Sequence, residues 1–311
     1  MRGIDLSRAY FEEIGLPMLR REFPEYLDRI AVGLVGHGSE CFGYDDEISR
    51  DHDYEPGFCI WITEEDDSIF GFRLFRAYSK LPREYLGFGS SEKSLGGKSA
   101  VGVRTISDFY SEYTGRRGAP ECARDWLYTP SHYLAEATNG EVFSDPLGEF
   151  TRIRMQILEG MPEDVRRKKL ASCALHMAQA GQYNYKRCLA HDEAASARLA
   201  LDEFVRNAAE AVFLLERKHM PYYKWVFRAM RSLPRLGLMA DKLETLLLTP
   251  QDETLRIELL VEEVCQDLIS EFRKQGITKA TCEYMESHAY SLNDGIADPE
   301  IRNLHIYYNI P

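Results

Sequence analysis

The chain has 311 residues, 44% of them hydrophobic and 28% charged, with a formal net charge of −12 at pH 7. These values describe a folded globular chain long enough for two domains, and they exclude a disordered or fibrous one. The acidic excess argues against broad, sequence-independent nucleic-acid binding, which needs cations to displace counterions, although a local basic groove remains open.

The amino terminus lacks the apolar core of a signal peptide, and no apolar run approaches membrane-spanning length. Cys41, Cys59, Cys122, Cys173, Cys188, Cys265 and Cys282 form no CxxC pair. Such unpatterned thiols read as reduced cysteines of a cytoplasmic protein, without a zinc site or disulfide frame.

In chain order, Asp5 or Ser7 can cap a first helix that turns Tyr10, Ile14, Leu16 and Leu19 inward, and Pro17 and Pro24 should divide it. The apolar, β-branched run at 29–36 predicts a buried strand. It runs into Gly36-His37-Gly38-Ser39, a turn in which Gly38 lets a phosphate approach the backbone and Ser39 adds a hydroxyl. A second strand is expected from about Asp51 through Phe58–Thr63, bent at Pro56-Gly57. Side chains two apart on a strand share a face, so Asp51 and Asp53 would point the same way and His52 the other. Glu64 to Asp67 suit the first turn of a helix reaching about Lys80.

Residues 85–99, rich in glycine, read as a loop or loose hairpin. Ser94 to Lys98 lack the ending of a phosphate-binding loop. A third strand at 100–106 precedes a helix capped by Ser107. After an irregular stretch at 115–130 and a short helix ending near Ala137, Asn139-Gly140 turns into a fourth strand, Glu141–Ser144. From Gly148 onward helical periodicity takes over, in segments 148–159, 162–189, 192–219, 221–231, 236–248 and 252–275. Leu199, Phe204, Ala208, Ala211, Val212 and Leu215 make an apolar stripe expected to be bundle core. The fold class is therefore α+β: a small mixed-sheet domain over 1–147, then an all-helical bundle domain over 148–311.

A Gly-Ser turn after a strand, a gap, then Asp-x-Asp resembles the signature of the nucleotidyltransferase superfamily related to DNA polymerase β, in the compact form of antibiotic and minimal nucleotidyltransferases. The two-part layout is similar to that of kanamycin- and lincosamide-type nucleotidyltransferases. A closer resemblance is to a bacterial family of uncharacterised nucleotidyltransferase-like proteins. It is carried also by Gly140–Asp145, by Gly181-Gln182-Tyr183-Asn184-Tyr185-Lys186-Arg187 and by Pro221-Tyr222-Tyr223-Lys224-Trp225.

The resemblance implies a transferase with Asp51 and Asp53 as catalytic residues and ligands of Mg²⁺ or Mn²⁺. It also implies Gly38, Ser39, Asn184, Lys186 and Lys224 as nucleotide-binding residues. The implied reaction moves AMP from ATP, or another nucleoside triphosphate, to a hydroxyl of an acceptor, releasing pyrophosphate. Read without the resemblance, 183–187 is an amphipathic helix with snorkelling cations, and 221–225 is a helix start. Many members of the superfamily take a third carboxylate from the next central strand. Here Lys98–Arg104 contains no acid, and Glu136, Glu141 and Asp145 are the remaining candidates for a base. That departure keeps a second reading open, a catalytically silent nucleotide-binding regulatory module. A third is a contact protein that binds no nucleotide. The other histidines form no ligand spacing and are assigned no metal.

Overall fold

The computed structural model describes residues 1–46, 56–89 and 101–307. Asp51, His52 and Asp53, the start of the second strand, the Ser94–Lys98 loop and the start of the third strand lie outside the described residues. The fold is α+β, with a four-stranded mixed sheet and many helices. The chain forms two compact units, residues 1–121 with 133–160, and residues 122–132 with 161–311. The sequence reading divides the chain once, at 147. In the structure the helix Glu149–Glu159 groups with the first unit, and residues 122–132 with the second.

The sheet of the first unit is built from β1 (Ala31–Leu34), β2 (Cys59–Ile62), β5 (Gly102–Thr105) and β6 (Glu141–Ser144), in the order β5-β2-β1-β6. A separate hairpin pairs β3 (Glu84–Tyr85) with β4 (Phe88–Gly89). β1 is antiparallel to both its neighbours, and β2 runs parallel to β5. Being central, β1 and β2 are buried along their whole length. That explains why they read in sequence as continuous apolar runs.

The pleat sends alternate residues to two cores. Val32, Ile60 and Ile62 pack with Tyr10, Phe11, Leu19 and Phe70 on one face. Trp61 faces the other way, its ring stacked on Phe150 at 4.0 Å and edge-on to Phe109 at 5.5 Å. Which core each side chain of β1 and β2 joins is thus set by residue parity.

Three local expectations are corrected. Pro17 does not divide the first helix. Gly3–Tyr10 continues through a wide π turn, Phe11–Gly15, into Leu16–Glu22, and only Pro24 starts a new element. The wider turn changes the hydrogen-bonding ladder just where proline lacks a donor. The helix Ile106–Thr114 is capped by Thr105, whose Oγ1 accepts from the Asp108 N–H at 3.0 Å, and not by Ser107. The stretch read as irregular contains a helix, Ala123–Tyr128, with Trp126 and Leu127 buried.

The second unit is helical. Glu163–Met177 runs through a π turn, Ala178–Asn184, into Tyr185–Ala190. Ala194–Leu215, Met239–Leu248, Thr254–Lys274 and Met285–Asp294 are its other longer helices. Of the predicted stripe, Phe204, Ala208, Ala211, Val212 and Leu215 are buried, whereas Leu199 is 70% exposed. No helix among the described residues is long and apolar enough to cross a membrane.

Candidate functional site

The carboxyl end of β1 opens into a turn whose shape depends on glycine. Gly36 and Gly38 have φ of +124° and +113°, and Gly43 closes the short helical turn Glu40–Phe42 at +67°. These are left-handed conformations that L side chains rarely adopt. The turn is held from the β6 side. The Gly36 N–H donates to Asn139 Oδ1 at 2.9 Å, and Asn139 Nδ2 donates back to the Gly36 carbonyl at 2.8 Å. The Asn139 amide thereby extends the β1–β6 ladder beyond Leu34↔Glu141. The Gly140 N–H adds a 2.7 Å bond to the Cys41 carbonyl. Arg154 fixes that second chain in turn, donating to the carbonyls of Asn139 and Gly140.

Within this frame Ser39 begins the short helical turn, and its hydroxyl makes no capping bond to it. The Ser39 carbonyl accepts from Phe42 and Tyr44 N–H groups. At Gly38 the missing side chain makes room for the Glu40 carboxylate, which a Cβ there would overlap. An anion approaching Gly38 therefore meets a carboxylate of the turn itself, and like charges at that range repel.

The exposed ring of His37 lies at the tip, its Nδ1 2.8 Å from Oε2 of the buried Glu136 carboxylate. Glu136 Oε2 has no directed hydrogen bond, so the contact is one of charge when the imidazole is protonated. Tyr113 lies beneath the turn, its hydroxyl occupying the space that a Cβ on Gly36 would need. Burial first, then the Glu136 charge, pushes the Tyr113 phenol well above its ordinary value. Cys41 donates to the His37 carbonyl at 3.2 Å, and burial followed by the Glu40 charge pushes its thiol up. Tyr113 and Cys41 are thus protonated donors at neutral pH, and the chargeable groups at the turn are His37, Glu40 and Glu136. The stretch Gly36–Gly43 drew notice for glycine and serine. Nothing local to it predicts Glu136 or Asn139, which are about a hundred residues away.

The other candidate acids are committed elsewhere. Glu141 pairs with Arg8, and Asp145 Oδ2 accepts from the Thr151 N–H at 2.8 Å. On β5, Arg104 pairs with Glu112 of the following helix at 3.0 Å. Among the described residues no group of three or more His, Cys, Asp or Glu could hold a metal ion.

Asn184, Lys186 and Lys224 belong to the second unit. Asn184 is half-buried at the end of the π turn. Its neighbours face the helix Thr254–Lys274. Gln182 Nε2 donates to Glu262 at 2.7 Å, and Lys186 pairs with Glu258 at 3.3 Å. Arg187 lies over the Tyr183 ring at 5.7 Å. Lys224 is exposed, with Nζ 5.0 Å from the Trp225 ring centre.

A family model described as a domain of unknown function, DUF4037, matches residues 126–226. Among solved structures, the chain is similar to a nucleotidyltransferase-like protein from Exiguobacterium sibiricum, at 10% identity and a TM-score of 0.36. That alignment covers 84% of this chain and 78% of the other. No curated protein matches.

Proposed function

We propose that the chain is a Mg²⁺-dependent nucleotidyltransferase that transfers AMP from ATP to a hydroxyl of an acceptor, with the turn Gly36–Gly43 as the phosphate-facing part of its active site. The observation that carries this reading is the placement of the turn. A central buried strand ends in a glycine-shaped loop whose serine hydroxyl is not spent on capping the turn, and the Asp-x-Asp pair follows it in sequence. Mg²⁺ needs only one or two protein carboxylates beside the phosphates of a nucleotide, so the lack of a larger ligand cluster among the described residues is compatible with it. Asp51 and Asp53 are the residues that would hold the ion, which when bound would neutralise charge on the phosphates and on departing pyrophosphate.

The chain's own residues have distinct tasks in this reading. The Ser39 hydroxyl donates to a phosphate oxygen. Glu40 must turn away from Gly38 before that oxygen can approach. His37 Nε2 accepts the proton of an attacking hydroxyl, and the Glu136 carboxylate beside Nδ1 stabilises the imidazolium that forms. This supplies a base where β5 offers Arg104. The acceptor's hydroxyl oxygen forms a bond to the α-phosphorus as the bond to pyrophosphate breaks, and its proton passes to His37.

Isothermal titration with a panel of nucleoside triphosphates, with and without Mg²⁺, tests the proposal. Metal-dependent binding that disappears in Asp51→Asn/Asp53→Asn is the expected result. Absence of binding to any triphosphate sinks it. The pairing of Arg104 with Glu112 on β5 favours a second reading, a nucleotide-binding module without turnover. It predicts the same metal-dependent binding with no pyrophosphate released in the presence of any acceptor.

A further inference from the structure

The second unit contains a cavity of about 650 Å³, lined by the helices Glu163–Met177 and Ala194–Leu215 and by Ser131 and His132. That volume lies within the roughly 300–1,000 Å³ of small-molecule sites. Each long helix turns a polar stripe toward it. Lys169, Ser172, Cys173 and His176 recur at three- and four-residue steps on the first helix. On the second, Asp202, Glu203, Arg206, Asn207 and Glu210 do the same. His176 and Glu203 pair across the two helices at 2.9 Å.

The chemistry centres on Lys169, a lysine only 3% exposed. Its one hydrogen bond among the described residues is a long one, 3.4 Å, to the Thr129 carbonyl. An ammonium has three donors, and a buried one that satisfies a single donor gives up more solvation than it regains. Glu210 accepts from the Ser131 hydroxyl and attracts Lys169, yet the two form no direct ion pair among the described residues. Burial pushes the Lys169 ammonium down and the Glu210 carboxyl up. An amine with unmet donors and a carboxyl group are therefore held near each other on the wall of a cavity large enough for a small molecule. A hydroxyl can accept from the first and donate to the second, so a guest with several hydroxyls satisfies both. Leu199 and Met220 add apolar surface on which the carbon face of such a guest can lie.

We infer that this cavity is a binding site for a small polyhydroxylated molecule of about monosaccharide size, with Lys169 and Glu210 as its central hydrogen-bonding pair. The site lies wholly within the second unit, and its existence does not depend on nucleotide chemistry at the Gly36–Gly43 turn.

The test is calorimetric titration of the full chain with myo-inositol, D-glucose and D-ribose up to millimolar concentrations, beside glycine betaine and inorganic phosphate. At least one polyol should bind the wild type. Its affinity should fall by about tenfold or more in Lys169→Met and in Glu210→Gln, each first checked for native helicity. Should Lys169→Met fail to fold, Glu210→Gln and Asn207→Ala, both at partly accessible positions, carry the test. The inference is overturned if no polyol binds. Binding that survives these substitutions, or a preference for betaine or phosphate over every polyol, overturns it equally.

Discussion

Position 140 has no room for a side chain. Gly140 has φ of +63°, and a Cβ there would overlap the carbonyl oxygen of Leu34. Strain and overlap act together, so Gly140→Ala should cost about 2–4 kcal/mol, read as a lowered urea midpoint with unchanged slope. Its neighbour Asn139 makes both bonds to Gly36. Asn139→Ala leaves that buried N–H and carbonyl without partners and should cost about 1–3 kcal/mol. In the Asn139 variant any nucleotide affinity of the turn should fall with stability, since the loop loses its anchor. Asn139-Gly140 was legible in sequence as a turn, because that pair tolerates the left-handed region. Its second task, bracing a loop at the far end of β1, was not, because a side-chain-to-backbone bond across about a hundred residues leaves no local pattern. Glu136 stood among the candidate bases, but its place beside His37 was hidden for the same reason, while Glu40 stood in plain view two residues after Gly38.

Among the elements, the run from Glu163 to Ala190 shows how far periodicity carries and where it stops. One helical segment over 162–189 was legible from spacing. The π turn inside it, Ala178–Asn184, was not, since the apolar pattern shifts by only one residue. Gly181 sits in that turn with the Phe204 ring where a Cβ would be. Gly181→Ala should force the helix Ala194–Leu215 outward and destabilise by about 1–3 kcal/mol, measured by denaturation. The start of the helix Glu163–Met177 carries a titratable contact. Burial opposes the charged form of Glu163, but hydrogen bonds and charge from Arg166 and Arg217 outweigh it and hold the carboxyl at about 2. The folded value lies below the ordinary 4.5, so this stabilisation is whole above about pH 4.5 and is lost as pH falls toward 2. Glu163→Gln should flatten that acid limb in denaturation midpoints measured across pH. The effect should be modest, because the carboxyl is partly exposed to solvent. Leu199 shows the opposite error, a residue with core spacing that the structure leaves at a cavity mouth. Spacing selects a helix face, but it does not say whether a neighbour or a void lies against it.

For the whole molecule, the sequence shows one change from strand-like to helical texture, near residue 148, whereas the two compact units interleave along the chain. The order in which the chain visits them was not legible. Phe150 follows the change in texture, yet its ring stacks on Trp61 in the sheet's core. Trp126 precedes the change, yet it is buried in the second unit, with its ring 6.5 Å from His219. Composition cannot assign such residues, because any core accepts an aromatic ring. A fragment of residues 1–160 should keep the near-ultraviolet dichroism of packed Trp61. A fragment of residues 1–147, lacking Phe150, should lose most of it and about 3–5 kcal/mol of stability. A fragment of residues 161–311 should melt below the intact chain, since Thr129, Ser131 and Trp126 are missing from it.

The same ordering has a consequence during synthesis. When β5 has left the ribosome, β1 still lacks its β6 partner, and between β5 and β6 the chain also delivers residues 122–132, which belong to the other unit. At about 10 residues per second, roughly four seconds separate the end of β5 from the end of β6. Throughout that interval the nascent chain carries an unpaired, wholly apolar strand edge, the kind that recruits a second copy. The sheet is therefore at its most vulnerable while it is being made. Slowing translation between codons 106 and 144 should raise the aggregated fraction more than the same delay placed after codon 160.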